Sequence, residues 1–429
     1  MSSPSIENST GLSLARRVAQ LKPSVTVAFT NRAKAMKKDG KDVLIFAAGQ
    51  PDFDTPQPIK DAAIRALQDG MTGYQPTLGP ADVRETIAEK LTTENGIRGL
   101  TGDHVGISVG GKHALFIAMH CLLDSAEEGG AQNEVLLPVP AWVSYRPIAE
   151  LAGGRVVELE TQPTDDFKIT PEQLADAITP RSRILVMNSP SNPCGTMYTP
   201  KELESLASVV AEKAATVAPG LVVLTDEIYE KITYGGIAHK SLGSFESIAD
   251  RTLTINGMSK AFAMTGWRVG YSAMPGAFGK TFIKAMGTLQ GQMTTNITAF
   301  VYPAVKEALT NPAVAEQVET MRQSFAKRAT LIEGLLAEIP QLSCPKPTGA
   351  FYVFPDVGNL FGLTTPGGRT LGSAMDVCEA LLDEVGVALV PGEDFGGCGE
   401  HCARISFACD EATIVDGMGR LKTFVEGLS

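Results

Sequence analysis

The sequence predicts an α/β fold: a large domain with a mostly parallel seven-stranded sheet flanked by helices, plus a smaller α+β domain. Three observations predict it. Short β-branched runs alternate with longer segments of helical periodicity. Several of these runs are apolar throughout, as strands covered on both faces should be. After "CPKPTGA" (344–350) the pattern changes to short strands and two helices. The chain has 429 residues, 44% of them hydrophobic, which is ample for a large core.

The seven runs are "VGISV" (105–109), "EVLLPV" (134–139), "RVVEL" (155–159), "RILVMN" (183–188), "LVVLT" (221–225), "TLTIN" (252–256) and "VGYSA" (269–273). Helical stretches separate most of them, one beginning near Trp142. Thr170-Pro171-Glu172-Gln173 and Thr199-Pro200-Lys201-Glu202 both match a capping box with proline at the first helical position. Asn311-Pro312 repeats that start signal ahead of a long helix running to about Leu336. Beyond it, "FYVF", "VALV" and "RISFA" are strands, with helices over roughly 371–385 and 410–427. The expected division is a loose tail over 1–13, an N-terminal segment over 14–58 packing with the small domain, a large domain over 59–320 and a small domain over 321–429.

Composition removes several function classes. The net charge is −11 with no basic stripe, which argues against nucleic acid as a partner. The longest near-continuous apolar run, "ALFIAMHCLL", is shorter than the ~18 residues of a spanning helix and contains His120. The start "MSSPSIENSTG" lacks the pattern of a secretory signal. Seven scattered cysteines, an odd number, suit reduced thiols in a cytoplasm. Cys398, His401, Cys402 and Cys409 lie close in sequence, but without a paired C-x-x-C spacing; the expectation is a tight Gly-rich loop entering a strand, and no metal.

In open α/β sheets ligands bind at the carboxyl ends of strands. There this chain places Gly110-Gly111-Lys112, Trp142, Asn192 in "SPSNPCG", Asp226 and Tyr229 in "DEIY", and Lys260 in "GMSK". Each has a plain alternative: a tight turn, a core aromatic, an Asn-Pro turn, a surface lysine. Asp226 also resembles a Walker B carboxylate, but no phosphate loop accompanies it, since "PGAFGKT" (275–281) lacks the first glycine. Together at successive strand ends they suit a flat, anionic ring compound, with helix N-terminal amides for a phosphate.

"NSPSNPCG", "TDEIYE" and "NGMSKAFAMTGWRVGY", with "AAGQPDFDTP" and "GYQPTLGPADVRE", resemble the fold-type-I aminotransferases of class I/II that depend on pyridoxal 5'-phosphate. Within them the resemblance is to the bacterial and plastid-type aspartate aminotransferases and their prephenate aminotransferase relatives, from about Leu14 to the end. The resemblance implies that Lys260 bonds to the cofactor and shuttles a proton, and that Asp226 pairs with the pyridine nitrogen. Tyr229 and Asn192 would meet the ring oxygen, and Trp142 would stack on the ring. Gly110, Gly111, Lys112 and Arg268 would meet the phosphate, joined by Tyr74 from a second subunit, which implies a homodimer with shared sites. Arg404 would bind the substrate α-carboxylate, with Gly49 allowing close backbone approach. Lys112, with Ser24 and Thr26, would handle an acidic side chain. Cys194 stands where threonine is usual, and the 396–403 loop is richer in cysteine than usual. The expected activity moves an amino group between a 2-amino acid and a 2-oxo acid, aspartate and glutamate first. Prephenate or aromatic substrates, a lyase on the same scaffold, and a non-catalytic cofactor-binding regulator are the alternatives.

Overall fold

The computed structural model describes residues 14–19, 21, 25–124 and 132–429. The expected tail over 1–13 and Ser24 lie outside the described residues, and so does the side chain of Thr26. The strands are β1 (Leu44–Ile45), β2 (Val105–Ser108), β3 (Glu134–Val139), β4 (Arg155–Glu160), β5 (Ser182–Asn188), β6 (Val222–Asp226), β7 (Thr252–Gly257), β8 (Gly270–Ala273), β9 (Tyr352–Val353), β10 (Val387–Ala388), β11 (Val390–Pro391) and β12 (Ala403–Ser406). β2 to β8 form a seven-stranded sheet in the order β2-β8-β7-β6-β5-β3-β4. β8 is antiparallel to both neighbours and every other pair is parallel.

Alternation along β6 shows why its run is apolar throughout. Val222 and Leu224 enter the cluster built with the Gly111–Leu122 helix, while Val223 enters the cluster on the opposite face. Both predicted capping boxes form: Thr170 with Gln173 and Thr199 with Glu202. Asn311 accepts the Ala313 amide at 2.8 Å and starts the helix Pro312–Ala337.

That helix runs unbroken through 320–321 and changes core on the way. Val314 and Val318 pack beside β2 and β8; Met321, Phe325, Ala329, Ile332 and Leu336 pack with the C-terminal strands and helices. Phe29, Val43 and Phe46 of the N-terminal segment join the latter cluster, and β1 pairs parallel with β10. "VALV" is not one strand as expected. Val387–Ala388 pairs with β1, whereas Val390–Pro391 pairs antiparallel with β12, so the backbone changes partner at Leu389. The helix expected from Trp142 starts at Tyr145. Among the described residues, no helix is long and apolar enough to cross a membrane.

Candidate active site

The carboxyl ends of β5, β6 and β7 meet the C-terminal strands at a cleft of about 680 Å³. Its lining includes Gly49, Gly111, Lys112, Trp142, Asn192, Asp226, Tyr229, Lys260, Arg268 and Arg404. Five basic side chains line it, Lys34, Lys112, Lys260, Arg268 and Arg404, against one acid, Asp226. A basic cleft in a chain of net charge −11 concentrates anionic ligands.

Asp226 is the last residue of β6 and is buried. Its carboxylate accepts the Tyr145 hydroxyl at 2.8 Å and the Ile228 amide at 3.2 Å. Burial pushes its pKa up to about 6, against the pull of those hydrogen bonds and of Lys260. A cationic ring nitrogen is the kind of partner such a carboxylate needs. Asn188, the last residue of β5, braces both neighbours: its Nδ2 donates to the Asp226 carbonyl at 2.9 Å, and its Oδ1 accepts the Asn192 amide at 2.9 Å.

Lys260 follows β7 and donates to the Gly49 carbonyl. Burial, then the positive charges of Arg404 and Arg268, bring its pKa down to about 8, with Asp226 opposing. A larger neutral fraction near neutral pH is what a nucleophilic amine requires. The Gly49 loop is itself anchored, since Arg328 donates to both oxygens of Asp52 at 2.7 and 2.9 Å. A Cβ on Gly49 would lie 3.3 Å from the Tyr352 hydroxyl, so this approach is close.

Arg268 sits in the left-handed region at φ 55, held by Nη1 donating to the Thr265 carbonyl at 2.9 Å. Its guanidinium lies against Gly110, where a Cβ would collide with Nη2. Gly110 also has φ 81, a backbone conformation that favours glycine. It precedes the helix Gly111–Leu122, whose first amides have no acceptor within the helix. Amides plus a guanidinium make a cradle for a phosphate. Lys112 Nζ lies 4.8 Å from the Trp142 ring centroid, and burial followed by Arg268 lowers its pKa.

Arg404 is buried, and among the described residues it pairs with no carboxylate. Nη1 donates to Asn192 Oδ1 at 3.1 Å, Nη2 donates to the Ala47 carbonyl at 3.0 Å, and Nε has no partner. The guanidinium stacks between Tyr352 and Phe395, at 4.8 and 5.3 Å. The Tyr229 and Tyr352 hydroxyls lie 3.0 Å apart. An orphaned buried guanidinium nitrogen, a buried lone carboxylate and a glycine cradle are what an anionic cofactor and a carboxylate substrate fit.

Tyr74 stands apart from this group, 90% exposed. The sequence reasoning missed Tyr145, Tyr352 and Asn188. Tyr145 lies next to Trp142 with ring centroids 5.3 Å apart, and its place in an apolar helical stretch gave no sign of a polar task. The cysteine-rich segment packs as a Gly-rich turn, with Cys402 buried against Cys194, Phe354 and Phe395. Cys194 itself is buried, so its exchange for threonine touches packing rather than the cleft. All seven cysteines are free, and burial pushes Cys398 to about 11 and Cys409 to about 12.

The aminotransferase class I and II family model matches residues 41–421. The aspartate aminotransferase of Geobacillus stearothermophilus is 41% identical over 97% of this chain and 99% of its own length. The aspartate/prephenate aminotransferase of Cereibacter sphaeroides is 39% identical over 97% and 99%. A crystal structure of the aspartate aminotransferase from Rhizobium meliloti superposes with a TM-score of 0.89 at 36% identity, covering 98% of this chain and 100% of that one. The chain belongs to the class I and II aminotransferases, and is a transferase of fold type I dependent on pyridoxal 5'-phosphate.

Proposed function

We propose that the chain moves the amino group of aspartate to 2-oxoglutarate, and of glutamate to oxaloacetate, in a two-stage cycle at this cleft. The observation that carries the reading is Arg404: a buried guanidinium that pairs with no carboxylate of its own among the described residues, facing a cleft that also holds Lys112. Two separated cations suit the two carboxylates of a dicarboxylic amino acid. The names of the Geobacillus and Rhizobium relatives support it.

The cofactor supplies an electron sink for the bond broken at the substrate Cα. Lys260 would hold the cofactor through its amine and, when free of it, would take and return the substrate Cα proton. Asp226 would pair with the ring nitrogen and favour its protonated form. Tyr229, Asn192 and Trp142, which line the cleft, would hold and orient the cofactor ring. Gly110, Gly111, Lys112 and Arg268 would hold the phosphate, with Tyr74 supplied by a second copy in a homodimer. Gly49 would let the backbone approach the substrate, with Lys112 at its side-chain end. A cytoplasmic location follows from the reduced-thiol reading of the cysteines. Prephenate is the second reading, favoured by the room in the 680 Å³ cleft and by the name of the Cereibacter relative. A panel of aspartate, glutamate, phenylalanine and prephenate as substrates tests both. The first reading fails if aspartate is turned over no better than phenylalanine.

A further inference from the structure

One wall of the cleft has no part in the chemistry above. It is the helix Val25–Lys38 of the N-terminal segment. Phe29 and Ala33 are buried in the core shared with the C-terminal strands and helices, and Met36 packs against that core. Arg32 is tied to the same side, with Nη2 donating to Asp383 Oδ1 at 2.7 Å on the helix Ala374–Val385. Val27, Thr30, Asn31 and Lys34 stand at i, i+3, i+4 and i+7, which puts them on the opposite face. All four line the cleft. Helical spacing and cavity lining therefore agree on a single stripe, fixed by the packing of the other face.

Lys34 is the charged member of that stripe. An exposed lysine is ordinarily only solvated. This one lines a cavity, and among the described residues it pairs with no carboxylate, whereas Arg32 on the same helix is committed to Asp383. The other cations of the cleft have nearer tasks. Arg268 lies against Gly110 at the start of the helix Gly111–Leu122, and Lys112, in the first turn of that helix, is close enough to feel its charge. A phosphate held there carries about two negative charges at neutral pH and draws on both. Lys260 is engaged with the cofactor, and Arg404 faces the α-carboxylate. Lys112 is thereby shared, which leaves the second carboxylate of a dicarboxylic substrate without a cation of its own. An underpaired carboxylate in a cleft is costly.

We propose that Lys34 is a specificity-determining residue, whose ammonium binds the distal carboxylate of a dicarboxylic amino or oxo acid on the solvent side of the cleft. The assignment rests on the dicarboxylate reading of the cleft and extends it to a further residue. The chemistry of lysine suits the task. Its flexible stem lets the ammonium follow a carboxylate whose position shifts by one methylene between aspartate and glutamate. The same stem lets it turn out to water when the substrate side chain carries no charge. Lys34 therefore favours dicarboxylic substrates without excluding others.

The test compares glutarate with pentanoate, the same carbon chain with and without the second carboxylate. Calorimetry on the cofactor-loaded protein gives the dissociation constant of each, for the native chain and for Lys34→Gln, Lys34→Arg and Lys41→Gln. Lys34 is exposed and holds no ion pair among the described residues, so these substitutions leave the fold intact. The native protein should bind glutarate more tightly than pentanoate. Lys34→Gln should weaken glutarate roughly 3–5-fold, the scale of an exposed ion pair, and leave pentanoate unchanged. Lys34→Arg should keep most of the preference. Lys41 is exposed just beyond the same helix and does not line the cleft, so Lys41→Gln removes the same charge and should change neither ligand. Unchanged glutarate binding in Lys34→Gln, equal losses of both ligands, or an equal glutarate loss in Lys41→Gln would overturn the proposal. If the native protein prefers glutarate and Lys34→Gln keeps that preference in full, the role of Lys34 alone is lost. If the native protein shows no preference, the dicarboxylate reading of the cleft is lost with it.

Discussion

Asp226 and Glu227 are neighbours in sequence, both buried, and both pushed toward neutrality by burial. They face opposite sides of one sheet and serve opposite ends. Asp226 looks into a cleft where four of the basic groups, Lys112, Lys260, Arg268 and Arg404, have no carboxylate partner among the described residues. Glu227 looks into a closed cluster where Lys90, Glu230 and Asn95 satisfy one another. Burial alone therefore does not mark a ligand site. What marks it is unpaired complementary charge on the side that a ligand can reach.

Removing groups from the cleft side breaks this contrast most sharply at Lys260. Lys260→Ala should lose at least ~10²–10⁴-fold in turnover, the scale of a positioned proton carrier, and the covalent visible absorbance of the loaded protein with it. Normal turnover with Lys260→Ala would remove the cleft's central residue from the account. Arg404→Ala should come next, with kcat/KM falling on the order of 10²-fold for every amino acid, because all carry the α-carboxylate. Lys112→Ala should lose on the order of 10–100-fold for aspartate, one charge-assisted contact of ~1.5–3 kcal/mol, and much less for phenylalanine. Equal losses on both would assign Lys112 to the phosphate alone.

The smallest effect is thermodynamic. The folded, cofactor-free protein retains a proton on Asp226 between its ordinary 3.8 and about 6, so its stability should fall as pH rises through that window. Asp226→Asn should remove that slope, a difference on the order of 2 °C in Tm at pH 6 relative to pH 4. Calorimetry at the two pH values reads it directly; identical slopes would mean that the carboxyl is not held up by burial.

Much of the fold and the cleft was legible in the sequence alone. Apolar runs doubly covered by helices announce themselves, and so do capping boxes, because both depend on local pattern. The cleft residues at strand ends were legible because topology places them on one rim. Tyr145 and Tyr352 were not: each sits in an apolar element, and only the tertiary fold shows the hydroxyl turned to Asp226 or Tyr229. His239 was invisible for a different reason. It lies in the "GGIAHK" loop (235–240), and only the fold brings it within 3.9 Å of Glu227. The split of "VALV" was equally non-local, since strand pairing on either side of Leu389 is set by β1 and β12.

The central claim is that this cleft moves an amino group rather than eliminating or merely binding. A single-turnover experiment with cofactor-loaded protein and aspartate, in the absence of any oxo acid, tests it most directly. The account predicts one oxaloacetate per site, no free ammonia, and the amino group kept on the protein until 2-oxoglutarate is added, when glutamate appears. Release of ammonia, or no oxaloacetate at all, would contradict it.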